Sequence, residues 1–120
     1  ALQLARSAFP AGHLNIAFMA SMAGESLLAL NRADEAYALL LEAEAIYARF
    51  SGPEVRGVTR AQTQLLLAQA AQRQRNLAAA RNWLQQAAPV IARSEDAEWL
   101  ARARALATEL QVKVALSPSQ

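Results

Sequence analysis

Apolar side chains recur along this chain at intervals of three and four residues, the period of an amphipathic α-helix. The pattern predicts six helices, at about residues 1–9, 13–30, 33–50, 53–75, 77–93 and 95–116. Val and Ile are sparse, so strands are poorly supported. The fold class that follows is all-α.

Turn and capping residues divide the predicted helices. Asn31 suits the left-handed residue that ends a helix, and Asn76 repeats that break. Pro53 suits the first position of a helix, and Ser94 suits the N-cap of the last one. Pro89 falls inside the fifth helix, where it removes one hydrogen bond and should bend the helix. The connections are short, so neighbouring helices should pack antiparallel.

The chain also repeats itself at a shift of about 44 residues, within the range of helical-repeat arrays. The matching positions carry small residues and one large apolar residue. They are Gly24 and Ala68, Ala36 and Ala80, Leu40 and Leu84, and Ala43 and Ala87. Small side chains let two helix axes approach, and the large one fills the gap between hairpins.

These positions resemble the tetratricopeptide repeat (TPR) family in a long-helix variant, similar to repeats appended to bacterial Ser/Thr kinases and multidomain regulators. The turns depart from the family, with Asn31-Arg32 and Arg75-Asn76 where it commonly has Gly-Asp or Gly-Arg. The resemblance implies an α-solenoid of antiparallel hairpins, a TPR-like superhelix, in a single domain over residues 1–116. Its repeat units would span residues 11–50 and 53–93, followed by a capping helix over 95–116 and a disordered tail over 117–120.

The amino-acid composition limits the partners and the cellular compartment that we expect for this chain. The formal net charge of +2 is too small to indicate a nucleic-acid partner. The absence of Cys excludes disulfides and fits a reducing compartment, so we expect a cytoplasmic protein. No segment is long and apolar enough to span a bilayer, and the start does not resemble a signal peptide. The chain lacks an initiator Met, so we expect a fragment of a larger protein.

The residues of common catalytic and metal sites are scarce. His13 is the only histidine, and no Gly-rich phosphate loop exists. The pairs Asp34/Glu35 and Glu95/Asp96 stand at helix starts, where opposing the helix dipole explains them better than acid–base chemistry. We therefore expect no enzyme, no metal and no cofactor.

Charge is distributed unevenly. No Asp or Glu lies between Glu54 and Glu95, whereas that stretch contains Arg56, Arg60, Arg73, Arg75, Arg81 and Arg93. These arginines could be solvated, could pair between repeats, or could dock an acidic peptide. Nucleic acid is the least supported partner, because aromatic residues do not alternate with the basic ones.

The resemblance implies that the first helix of each unit lines a binding groove. It nominates Phe18, Ser21, Glu25 and Leu28 in the first unit, and Gln62, Leu65, Gln69 and Arg73 in the second. Trp99 is a further candidate, although both Trp83 and Trp99 could serve packing alone. The implied function is a protein- or peptide-binding module of a larger bacterial regulatory or signalling protein.

An alternative function is a regulatory or scaffold domain of a Ser/Thr kinase or a transcriptional activator that self-associates through its repeats. Residues 1–9 resemble half a hairpin whose partner helix lies outside the chain. Terminal repeats need caps or neighbours to cover their apolar faces. We therefore expect exposed apolar surface at the N-terminal end, which self-association would cover.

Overall fold

The computed structural model describes residues 14–49 and 57–112, with the backbone alone at residues 57 and 58. Those residues form α-helices and the turns between them, and contain no strand, which confirms the all-α class. The helices are α1 (Leu14–Ala29), α2 (Ala33–Arg49), α3 (Gly57–Arg73), α4 (Leu77–Ser94) and α5 (Ala97–Leu110). The predicted helix at residues 1–9 and the predicted tail at 117–120 lie outside the described residues.

The turns after α1 and α3 have the same geometry. A residue in the left-handed conformation, Asn31 (φ 61°) or Arg75 (φ 65°), follows each helix. Its N–H donates to the carbonyl three residues back, and the next N–H donates to the carbonyl five residues back. This pair of bonds is the Schellman motif, and it also ends α5 at Gln111 and Val112. The prediction was right for Asn31 but one residue late in the second turn, where Asn76 instead caps α4 by accepting from the Ala79 N–H.

The connection between α4 and α5 also differs from the prediction. Ser94 is the last residue of α4, and its hydroxyl donates to the carbonyl of Ile91. Asp96 is the N-cap of α5, where its carboxylate accepts from the N–H groups of Glu98 and Trp99. Asp96 lies two residues after Ser94, and its carboxylate reaches both of these N–H groups, which have no partner within the helix. Asp96 therefore caps α5 in place of Ser94. Pro89 lies inside α4, as predicted.

Helix α3 is the centre of the structure and contacts all four other helices. Its buried residues surround its axis and include Leu65, Leu66, Leu67 and the alanines at 61, 68, 70 and 71. In addition α1 packs on α2, and α4 packs on α5. A helix that is apolar all round is stable only when other elements cover it on every side.

Small residues set the distance between α1 and α2. A Cβ added at Gly24 would lie 2.6 Å from Cγ of Leu40, a side chain that is itself fully buried. The corresponding position in the second hairpin, Ala68, is buried with Leu84 in one cluster. Glycine at position 24 therefore permits a closer helix approach than a methyl group would allow.

A charged cluster lies inside the interface of α2, α3 and α4. Glu44 is only 8% exposed and accepts from Nε of Arg60 at 2.8 Å and from Nη2 at 3.1 Å. Gln64 donates to the same carboxylate at 3.2 Å and approaches Gln86 Oε1 at 3.4 Å. The hydrogen bond to Glu44 raises the pKa of Arg60, against a smaller opposing effect of burial. The hydrogen bond thus favours the protonated guanidinium of Arg60.

Replacing Gly24 by Ala should destabilise the protein although Ala is the better helix former. The added methyl group must displace the buried Leu40 side chain, and we expect a net loss of about 1–2 kcal/mol in the free energy of unfolding. Ser26→Ala, on an exposed position of the same helix, should instead leave stability unchanged or raise it by about 0.5 kcal/mol. Urea unfolding measures both, and a Gly24→Ala protein as stable as Ser26→Ala would contradict the close approach.

Removing the partner of Glu44 should lower the free energy of unfolding by more than breaking an exposed ion pair does. Arg60→Met leaves a nearly buried carboxylate without its two charged hydrogen bonds, and we expect a loss of about 2 kcal/mol. Arg32→Met breaks a pair with Glu35 whose side chains are both 54% exposed, and should cost less than about 0.5 kcal/mol. Adding Glu44→Leu to Arg60→Met should recover at least half of the loss. Equal destabilisation by Arg60→Met and Arg32→Met in urea unfolding would refute a structural role for the buried pair.

Candidate functional site

A small cleft, called here the α1–α3–α5 cleft, opens on the face where α1, α3 and α5 meet. It has a volume of about 110 Å³. Four residues of α1, three of α3 and one of α5 line it: Phe18, Ser21, Met22 and Glu25; Thr59, Gln62 and Leu66; and Trp99. Sites for drug-sized molecules occupy roughly 300–1,000 Å³, so this cleft suits one side chain rather than a cofactor.

Five of the nine residues nominated from the sequence line the cleft together. They are Phe18, Ser21, Glu25, Gln62 and Trp99. Gln69 lies beside it and accepts a hydrogen bond from Arg102 at 3.3 Å. Residues 18, 21 and 25 are spaced by three and four along α1, so one face of that helix presents them together.

Leu28 and Leu65 are not on this surface, contrary to their assignment to the groove. Leu65 is fully buried and packs in the cluster that joins α3, α4 and α5. Leu28 is buried in the cluster that joins α1, α2 and α3. Both are held by the hydrophobic effect in the core, so neither side chain can contact a partner directly.

Arg73 lies away from the cleft, at the opposite end of α1 and α3. Its guanidinium donates to the carbonyl of Leu28 in the last turn of α1. Arg81 donates in the same way to the carbonyl of Leu110 at the end of α5. A cation at a helix C-terminus opposes the helix dipole and satisfies an orphan carbonyl. With Arg60 bound to Glu44, three arginines of the acid-free stretch therefore bond within the fold.

Arg102, which the sequence analysis did not single out, joins the three helices at the edge of the cleft. Its Nη1 lies 3.0 Å from Oε2 of Glu25, and its Nη2 donates to Gln69. Its guanidinium carbon lies 4.2 Å from the centroid of the Trp99 ring, a cation–π distance. The spacing of Trp99 and Arg102 by three residues on a predicted helix could have indicated this contact. The link to Glu25, far away in the sequence, had no local signal.

Met22 was also missed, and it is one of the most exposed large apolar side chains at the cleft. It is 51% exposed, and Phe18, one turn earlier on α1, is 49% exposed. Residues four apart lie on the same side of a helix, so the two form a continuous apolar patch. The spacing from Phe18 was visible in the sequence, but Met at helical spacing is more often a core residue.

The hydroxyl groups beneath the cleft form an ordered chain. Thr63, which is buried, donates to the carbonyl of Thr59, and Ser21 Oγ lies 2.9 Å from the Thr63 oxygen. Each hydroxyl carries one hydrogen, and either oxygen can be the donor in the bond between them. With one bond made to Thr63, the Ser21 oxygen can still accept a hydrogen bond from the cleft.

The other candidate polar residues have structural roles. Asp34 accepts from Gln74 at 2.9 Å, and Asp96 caps α5. Trp83 donates to the hydroxyl of Tyr37 at 3.0 Å, which places it in packing between α2 and α4. Among the described residues, no group of three or more His, Cys, Asp and Glu side chains could hold a metal ion. His13 lies outside that part of the chain.

None of the helices described here is both long and apolar enough to cross a membrane. Comparison with known proteins finds no family model, no curated protein and no solved structure that matches the chain. The resemblance to the tetratricopeptide family therefore depends on the two repeat units of this sequence alone.

Proposed function

We propose that the chain is an α-solenoid interaction module of the tetratricopeptide kind, in which α1, α3 and α5 form the binding face. Three features support this arrangement. The first two hairpins end their first helices with the same Schellman turn, and α5 ends with it too. The residues that correspond at a shift of about 44, such as Leu40 and Leu84, are buried alike. Finally, α1 contacts α3 and α3 contacts α5, as successive first helices of a solenoid would.

The observation that carries the binding function is the apolar patch at the cleft. Phe18 and Met22 are about half exposed, and Trp99 stands beside them across the cleft. Aromatic residues and Met are enriched at protein interfaces, where burying them on association is favourable. The small volume of the cleft fits an anchoring side chain of a partner polypeptide. We propose a protein partner on this ground, with no catalytic role, no cofactor and no nucleic acid.

The wider setting follows from the same proposal. A small face that recognises one segment of another protein is typical of a module within a larger regulatory or signalling protein. We propose a bacterial, cytoplasmic protein of that kind, which the family resemblance and the absence of Cys support.

Photo-cross-linking tests the proposed face. Benzoylphenylalanine placed at Gln62, in the cleft, should form a discrete adduct with a partner protein in an extract of the source cells. The same group at Gln85, exposed on α4, should not. Phe18→Ala should lower the affinity for the captured partner about tenfold or more, because it removes a central aromatic anchor. No adduct at Gln62, or equal adducts at both positions, would contradict the proposal.

Leu77→Ala is the matched control for Phe18→Ala. Leu77 is also an exposed apolar residue, at 43%, but it stands at the start of α4 and does not line the cleft. Both variants should retain the helical circular dichroism of the parent chain. Equal loss of affinity in the two would show that general apolar surface, and not the α1–α3–α5 cleft, holds the partner.

A further inference from the structure

On its α1 side the α1–α3–α5 cleft offers hydrogen-bond acceptors to a ligand, whereas Thr59, Gln62 and Trp99 on the facing helices also carry donors. The hydroxyl oxygen of Ser21 can accept, whichever of Ser21 and Thr63 donates in the bond between them. The carboxylate of Glu25 also lines the cleft and is an acceptor. These two groups lie one turn apart on α1, and Glu25 is the only charged residue of that helix. A ligand group that binds against α1 would therefore be a donor.

Glu25 retains capacity for a second partner. Its Oε2 is bound to Arg102, but Oε1 makes no hydrogen bond to any residue in the described part of the chain. The Glu25 side chain is 48% exposed, whereas that of Arg102 is 25% exposed. Arg102 is engaged by Glu25, Gln69 and the Trp99 ring together. The accessible charge at the cleft is therefore the carboxylate and not the guanidinium.

Three acidic residues immediately precede Trp99 in the chain: Glu95, Asp96 and Glu98, all of them exposed. Asp96 is the N-cap of α5, so this negative charge lies at the start of the helix that carries Trp99. Charge of one sign near a binding surface attracts a partner of the opposite sign and suppresses others.

The walls of the cleft complement the stem of a basic side chain. Phe18, Met22 and Leu66 supply apolar surface, and the volume of about 110 Å³ is suited to one unbranched side chain. Lys and Arg carry an aliphatic stem below a cationic head, and bury the first while solvating or pairing the second. The exposed Phe18 ring adds a face on which a cation can stack.

We propose that the α1–α3–α5 cleft binds an arginine or lysine side chain from a basic segment of the partner protein. The stem lies against Phe18, Met22 and Trp99, and the cationic head donates to Glu25 Oε1 and Ser21 Oγ. Glu25 then bridges two cations, the partner's and Arg102. This inference rests on the proposed protein-binding function and adds the chemistry of the partner to it.

Peptide titration of the isotope-labelled full chain tests the inference. The probes are acetyl-Gly-Arg-Gly-amide, its citrulline counterpart, which has nearly the same shape without the charge, and acetyl-Gly-Glu-Gly-amide. The arginine peptide should shift the indole N–H signal of Trp99 while leaving that of Trp83, which is bonded to Tyr37, in place. It should bind about fivefold more tightly than the citrulline peptide, the contribution of a partly exposed ion pair. The glutamate peptide should cause no shift.

Three variants separate direct contact from structural effects. Glu25→Gln should abolish the preference for arginine over citrulline, and Glu35→Gln, an exposed carboxylate outside the cleft, should retain it. Arg102→Gln also breaks the ion pair with Glu25 but leaves the carboxylate free, so it should retain or strengthen binding of the arginine peptide. If Arg102→Gln loses the preference as Glu25→Gln does, the ion pair acts by shaping the cleft and the inference is wrong.

The remaining outcomes distinguish a failure of this inference from a failure of the proposed protein-binding function. Equal binding of the arginine and citrulline peptides would refute the inference that the cleft binds a cationic side chain. So would the absence of a Trp99 shift with the arginine peptide. In either case the cross-link at Gln62 could still establish a protein partner. Preference for the glutamate peptide would overturn the inference in favour of an anion bound to Arg102. Failure of the Gln62 cross-link would instead refute the proposed function itself.

Discussion

The structure depends on the burial of α3 on every side. Among the five helices described, no other contacts all the rest, and the core residues of α3 face each of them in turn. Many of those residues are Ala, which adds little buried area but allows neighbouring backbones to approach closely. Gly24 extends this principle to α1, where even a methyl group would overlap Leu40. The same small-residue packing fixes where α1 and α5 lie beside α3, and so it creates the cleft between them.

Burying α3 completely also requires that its polar residues be satisfied internally. Thr63 and Gln64 are buried in the middle of the helix, and each finds a partner on a neighbouring element. Among the described residues no buried side-chain nitrogen or oxygen lacks a hydrogen bond. These bonds are directional, unlike apolar packing, so they fix the rotation of α3 against α1 and α2. The position of Ser21 at the cleft is held by one of them, the bond to Thr63.

The features set by local sequence were predictable. The helix period, the Asn31 turn and the paired residues Leu40 and Leu84 all follow from spacing and from the conformations that each residue tolerates. The errors arose where two local solutions compete, since either Ser94 or Asp96 could cap α5. Neighbouring positions on a helix differ by about 100° in direction. A family pattern therefore could not show that Leu65 faces the core while Gln62 faces the cleft.

The long-range contacts of the site were not predictable from one sequence. Glu25 is on α1 and Arg102 is on α5, and their ion pair depends on the packing of both helices against α3. Spacing alone could place Trp99 near Arg102 but could not bring either residue to α1. The cleft is therefore a product of tertiary packing, although the sequence nominated three of the four residues on its α1 side, all except Met22.

Native-state hydrogen exchange tests most directly whether α3 organises the fold. The backbone amides in the middle of α3, around Leu65 to Ala68, should exchange only through global unfolding and carry the full free energy of unfolding. Amides of α1 and α5, which each cover part of α3, should exchange through smaller openings. If α3 exchanged at a lower free energy than α4 or α2, the fold would not depend on the burial of α3, and the central claim would be contradicted.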